Sequence, residues 1–139
     1  MKNVKKGFLI FCASIMAVSS PVLAAGKKFE FKFTDLDNHE YYTTWTKENS
    51  ANAYTITLNR YNGTTKNTMS STNIFGCRMK DLSVEPVVDV YHTFSNYVTD
   101  YPVGYNGKVY QGDRMRIRGK KDSASSSSKA LNISGTVIQ

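Results

Sequence analysis

Phe29-Glu30-Phe31-Lys32-Phe33 alternates aromatic and charged residues without a break. A strand turns successive side chains to opposite faces, so the three phenylalanines share one face and the two charges share the other. The pattern recurs along the chain. Tyr54, Ile56 and Leu58 lie on one face against Thr55, Thr57 and Asn59. Phe75, Cys77 and Met79 oppose Arg78 and Lys80. Val87 to Val98 is a longer run of Val, Tyr, Thr and Phe, Lys108 to Lys120 forms another strand region turned near Gln111-Gly112-Asp113, and Leu131 to Ile138 closes the chain.

Turn chemistry separates these runs. Asp35-Leu36-Asp37-Asn38 precedes Tyr41 to Thr46, and the spacing predicts a hairpin with the first strand. Asn62-Gly63 ends the third run, while Pro102, Gly104 and Asn106-Gly107 mark a loop. Ser123 to Ser128 reads as a mobile hairpin loop. No segment carries a helical period. About seven strands at this spacing predict an all-β fold, an antiparallel sandwich or a small barrel. The expected core is Phe29, Phe31, Phe33, Trp45, Tyr54, Ile56, Leu58, Phe75, Val88, Val90, Phe94, Met115, Ile117, Leu131 and Ile133.

The first 24 residues differ in kind from the rest. Lys2, Lys5 and Lys6 precede an apolar run from Phe8 to Val18, which ends in Val22-Leu23-Ala24-Ala25. That order is a secretory signal, with cleavage expected after Ala24 and Ala25 as the close second. The run is too short for the ~20 residues that span a bilayer, so an uncleaved anchor is the weaker alternative. Cys12 follows Phe11 rather than a small residue, unlike a lipoprotein signal. The domain expected to remain is 25–139, an exported protein that acts outside the cell or at its surface.

Length and composition narrow the class further. At 139 residues the chain is too short for a two-domain enzyme or a doubly wound nucleotide-binding fold. Its 40% hydrophobic content excludes a disordered chain, and two cysteines exclude a disulfide-stapled miniprotein. The 18 Lys and Arg against 11 Asp and Glu give a charge of +7, which falls to +4 once the three lysines of the leader are removed. Six of the remaining basic residues fall between Lys108 and Lys121.

Within that stretch Arg114-Met115-Arg116-Ile117-Arg118-Gly119-Lys120 places Arg114, Arg116, Arg118 and Lys120 in one row, with Met115 and Ile117 behind it. Such a row is a docking strip for a polyanion: a cell-wall polymer, a wall precursor, an anionic lipid head group or, least favoured, nucleic acid. The plainer interpretation is a solvated strand face paired laterally with Asp and Glu. Tyr97, Tyr101, Tyr105 and Tyr110 crowd into or beside one loop and are candidate aromatic contacts, although tyrosine is also an ordinary strand former.

Other chemistry is weakly signalled. Asp35, Asp37 and Glu40 around His39 resemble part of a calcium loop but lack its central Gly and closing Glu, so no metal or cofactor is expected. His92 reads as a partly buried structural residue. Cys77 reads first as a core thiol, then as an intermolecular disulfide, and last as a nucleophile. No Gly-x-Ser-x-Gly, His-Glu-x-x-His or phosphate loop occurs. Asn62-Gly63-Thr64 and Asn132-Ile133-Ser134 match glycosylation sequons, which carry no weight beside a bacterial type of leader.

The ending, from Val109-Tyr110 through Arg116-Ile117-Arg118 and Ser123–Ser128 to Ser134-Gly135, resembles small secreted β-rich proteins of Gram-positive bacteria and, more loosely, lactococcin-type bacteriocins. Many of these carry a Trp after the Ser-Gly, where this chain has Thr136-Val137. The resemblance covers mainly the final third and implies a non-catalytic exported sandwich. It also implies envelope binding or bacteriocin-like action, with a pyrophosphate-bearing wall precursor as one ligand. It assigns no residue a role. The expected function is a binding module for an anionic envelope component. The alternatives are an assembly module using an edge strand or tyrosine face, and a small secreted enzyme.

Overall fold

The alternation of Phe29–Phe33 is realised as an edge strand whose phenylalanines are almost wholly buried while Lys28, Glu30 and Lys32 face solvent. This computed structural model describes residues 25–34, 36, 39–42, 44–61, 67–83 and 90–139. Among them are nine strands and no helix: β1 (Lys27–Phe33), β2 (His39–Tyr41), β3 (Trp45–Thr46), β4 (Ala53–Arg60), β5 (Phe75–Asp81), β6 (His92–Phe94), β7 (Val98–Gly104), β8 (Arg114–Lys121) and β9 (Leu131–Ile138). They form two antiparallel sheets. The first has the order β1-β9-β4-β7, and the second β2-β8-β5-β6, with β3 following β2 along the same edge of β8. The sheets do not close into a barrel, so the architecture is a sandwich.

The two inner faces meet through aromatic rings. Phe31 and Phe33 of the first sheet lie with ring centroids 6.0 and 6.1 Å from Phe75 of the second. Tyr54, Ile56, Leu58, Leu131, Ile133 and Val137 complete the first layer, and Cys77, Met79, Met115 and Ile117 the second. Gly119 makes the closest approach possible. A Cβ there would stand 2.7 Å from the Phe31 ring and 3.0 Å from that of Phe75, so the missing side chain lets the rings rest on β8 itself.

Several local expectations are corrected by the pairing. Phe29–Phe33 and Tyr41–Thr46 do not form a hairpin: β1 pairs with β9, whereas β2 and β3 pair with β8, so the connection crosses between sheets. Pro102 and Gly104 lie in β7 rather than in a loop, opposite Thr55 and Ala53. β7 is an edge strand, where the missing Pro N–H is tolerated. Its register with β4 shifts between Ile56 and Leu58. There Asp100 adopts φ 46°, and its N–H donates to Thr57 Oγ1 at 3.0 Å.

Lys108 to Asp113 is not strand, and β8 begins only at Arg114, after a turn at Gly112 with φ 96°. Ser123–Ser128 is no hairpin loop but a crossover from β8 to β9. It is pinned by Ser125 Oγ accepting from the Ile74 N–H at 2.9 Å and by the Ser127 N–H donating to Thr72 O at 2.8 Å. Val90 is about half exposed instead of core, and Trp45 is only partly buried. Residues 1–24, the Asp35 to Asn38 turn, Asn62-Gly63 and Val88 lie outside the described residues, apart from Leu36.

Candidate functional site

β8 divides its side chains as the alternation requires. Met115, Ile117 and Gly119 face the core, while Arg114, Arg116, Arg118 and Lys120 stand on the outer face of the second sheet. Lys121 does not extend this basic surface. It points inward, 1% exposed, and its Nζ donates to the carbonyls of Ser127 and Lys129, each at 2.6 Å.

The row is wider than one strand. β5 pairs with β8 so that Arg78 stands directly opposite Arg118, and Lys80 opposite Arg116. Six cations therefore share one face in two adjoining columns. Like charges directly opposite across an antiparallel pair destabilise it, typically by a few tenths to about 1 kcal/mol. The Arg116 guanidinium is steadied from the other side, donating to Thr44 Oγ1 from Nε at 3.2 Å and Nη2 at 3.0 Å. His39 and Tyr41 occupy the register positions beside Lys120 and Arg118.

One end of this face is concave. Gly76 lies opposite Lys120, and Tyr91 occupies the space over it: a Cβ on residue 76 would fall 1.6 Å from the tyrosine oxygen. The Tyr91 hydroxyl donates to Asp122 Oδ2 at 2.5 Å, and Lys120 Nζ stands 5.2 Å from the ring centre. Arg78, Arg118, Gly119, Lys120 and Tyr91 line a cavity of about 190 Å³. Burial pushes the Asp122 carboxyl up. The hydrogen bonds from Tyr91 and the Ala124 N–H, with the Lys120 charge, outweigh that and hold it below the usual carboxylate range.

The four tyrosines do not gather. Tyr105 is buried against Tyr54 at 5.2 Å and takes a hydrogen bond from Gln139 Nε2 at 3.1 Å. Tyr97 lies beneath the Arg60 guanidinium, and Tyr101 meets Phe94 edge-on at 5.4 Å. Tyr110 is exposed beside the Gly112 turn. Tyr101 belongs to β7 of the first sheet, whereas the arginine row belongs to the second, so no joint tyrosine–arginine surface forms. Among the described residues, Tyr91 does reach the basic face. Sequence alternation already turned Arg78 and Lys80 outward; it carried no sign that β5 is the neighbour of β8.

The register brings His92 opposite Cys77, the one Cys–His juxtaposition a thiol nucleophile would need. The thiol is 1% exposed between Phe75 and Met79, however, which leaves a substrate no approach. Among the described residues no group of three His, Cys, Asp or Glu side chains is placed to hold a metal ion, and no helix is long and apolar enough to cross a membrane. Elsewhere, Lys47 is buried with Nζ 2.9 Å from Asn49 Oδ1 and 5.6 Å from the Tyr105 ring centre. Burial lowers its pKa, against the opposing pull of the Asp113 charge.

Comparison with protein families, characterised proteins and solved structures finds no match to this chain.

Proposed function

We propose that this protein is an exported, non-catalytic binding module that docks an anionic component of the cell envelope on the outer face of its second sheet. The observation that carries the reading is the β5–β8 register, which sets Arg78 beside Arg118 and Lys80 beside Arg116. Charge does not alternate across these two pairs, and like charges directly opposite disfavour the pairing. A polyanion seated on the two columns would turn the repulsion into attraction, and the arginine forks suit phosphate and carboxylate oxygens. The extended sheet favours a linear polymer over a compact ligand, because successive outward positions on a strand recur every 6–7 Å or so. Bacteriocin-like action on a wall precursor is one form this docking would take.

The assembly alternative is less well supported. The edge strand β7 carries Pro102 and a bulge at Asp100, both of which hinder pairing with a further strand. The test is co-sedimentation with isolated Gram-positive cell walls between about 50 and 500 mM sodium chloride, over which the Debye length shrinks from roughly 14 to 4 Å. Retention should fall steeply over that range. R116E/R118E should abolish it while leaving the far-ultraviolet spectrum and melting temperature close to the parent's. Salt-insensitive retention, or retention unchanged in the double variant, would overturn the reading.

A further inference from the structure

We infer that the polar hollow between segment 67–73 and the serine crossover is a binding site for a saccharide, recognised through its hydroxyl groups; it is separate from the basic face and independent of the docking role proposed above. Its volume is about 590 Å³, within the roughly 300–1,000 Å³ of small-molecule clefts. Asn67, Thr68, Ser70, Thr72, Asn73 and Ser127 line it with hydroxyls and carboxamides, and Lys129 adds the one cation among the described lining residues. Hydroxyls and carboxamides both give and accept hydrogen bonds, and so match the closely spaced hydroxyls of a sugar. Ser70 Oγ and Thr72 Oγ1, 3.2 Å apart, already form a pair in which either oxygen can donate.

The two walls are stitched together. The Ser127 N–H donates to Thr72 O at 2.8 Å, the Asn132 N–H to Asn67 O at 3.0 Å, and Asn73 Nδ2 to Ala130 O at 3.3 Å. Lys121 Nζ clamps the crossover from its buried side through the Ser127 and Lys129 carbonyls. The lining groups are therefore in place before a ligand arrives, which lowers the entropy cost of binding. Asn73 gives a second, independent sign. It is 3% exposed, and its two amide hydrogens are spent on the carbonyls of Thr68, at 3.0 Å, and Ala130. Its Oδ1 has no donor among the described residues. A buried acceptor left in that state is costly, and a saccharide hydroxyl supplies the missing hydrogen.

Other ligand classes fit less well. An apolar molecule would strand these polar groups without partners. A divalent cation takes carboxylate oxygens, which the lining residues lack. A compact polyanion would meet a single ammonium instead of the converging forks that hold phosphate. The test follows backbone amide shifts of the purified protein during titration with methyl glucoside, with the disaccharide of N-acetylglucosamine and with inorganic phosphate, at constant ionic strength. Saturable shifts centred on Ser70, Thr72 and Ser127 are expected with at least one of the two sugars, and at least tenfold weaker binding of phosphate there. Thr68→Val combined with Thr72→Val exchanges two hydroxyls for methyl groups, keeps both backbone carbonyls, and should weaken sugar binding at least tenfold. Ser127→Ala, on the facing wall, should weaken it at least threefold and decides the matter if the double variant does not fold. Thr136→Val, on the outer face of the first sheet, should bind as the parent does.

The absence of a saturable shift with either sugar overturns the site, as does phosphate held at these residues as tightly as the sugars. Parent-like binding by the double valine variant, or by Ser127→Ala where that variant does not fold, overturns it equally. R116E/R118E should bind sugar as the parent does, so failure of the docking face and failure of this hollow are read apart. Loss of sugar binding in R116E/R118E would move the sugar to the basic face and overturn the assignment to the hollow.

Discussion

Gly135→Ala should destabilise the fold by about 2 kcal/mol, although it adds a single methyl group. Gly135 lies in β9, the strand flanked by β1 and β4, opposite Phe29 on one side and Leu58 on the other. A Cβ there would stand 2.3 Å from the Thr57 carbonyl oxygen and 2.5 Å from Phe29 Cζ, where real Cβ atoms essentially never come within 3.0 Å. The first obstacle is backbone in a paired strand, and the second is a ring already packed at 5.3 Å against Phe31 and 6.3 Å against Tyr42. Neither gives way cheaply. Overpacking of this kind costs about 1–3 kcal/mol, and a backbone clash belongs at the upper end.

Alanine returns roughly 0.4–1 kcal/mol by restricting the unfolded chain, which leaves the net loss near 2 kcal/mol. At about 4 °C per kcal/mol for a domain of this size, the melting temperature should fall by about 8 °C. Gly104→Ala is the matched control. Nothing lies within 4 Å of its Cβ position, so the entropic gain should stand alone and raise the melting temperature by about 2 °C. Thermal unfolding followed by circular dichroism, with urea titrations to check for an unchanged m value, reads both. A Gly135→Ala protein melting within about 2 °C of the parent, or an equal fall for Gly104→Ala, would refute the packing argument.

The two buried lysines should respond oppositely to Met. Lys121→Met strands the Ser127 and Lys129 carbonyls and should cost about 2–3 kcal/mol in urea unfolding. Lys47→Met leaves Asn49 Oδ1 still accepting from the Ala51 N–H at 2.9 Å and should be neutral or stabilising by about 1 kcal/mol at pH 7. Because the folded pKa of Lys47 is lowered, the unfolded chain binds more protons between that value and about 10.4, so the parent should gain stability on Lys47→Met as pH rises through this window. Tyr91→Phe removes a hydrogen bond to a carboxylate and should cost about 1.5 kcal/mol near neutral pH. Asp122 has a depressed folded pKa, so its contribution is complete above the ordinary carboxylate range and is lost as pH falls through the lower folded value. The gap between parent and Tyr91→Phe in acid unfolding should close there, and a gap that persists would show that the tyrosine acts by packing alone.

Each of the misplaced features joined two segments that are close in sequence. Phe29–Phe33 and Tyr41–Thr46 are separated by turn residues, yet turn chemistry does not say whether the chain returns beside itself or passes to the facing sheet. Tyr97, Tyr101, Tyr105 and Tyr110 fall within fourteen residues, yet only Tyr101 lies in β7, where it meets Phe94, while Tyr105 past the strand's end is buried against Tyr54 and Tyr110 is exposed beside the Gly112 turn. Residues 108–113 keep strand-like composition, but Gly112 with its positive φ turns the chain before β8 starts. Tyr91 had no periodic signal, because it precedes the short strand β6 and acts from outside any strand.

Properties of single strands are legible residue by residue: which side chains of Phe29–Phe33, Tyr54–Leu58, Phe75–Met79 and Arg114–Lys120 face the core and which face out, and hence an all-β chain with buried phenylalanines and an outward arginine row. Period-two alternation is local, so each strand states it alone. Which strands lie side by side is settled only when the whole chain folds. That outcome comes from competition among non-local partners and is written in no single segment. The pairing of β5 with β8 turned one basic row into two columns, and Tyr91 folded over Gly76 to make a cavity at their end.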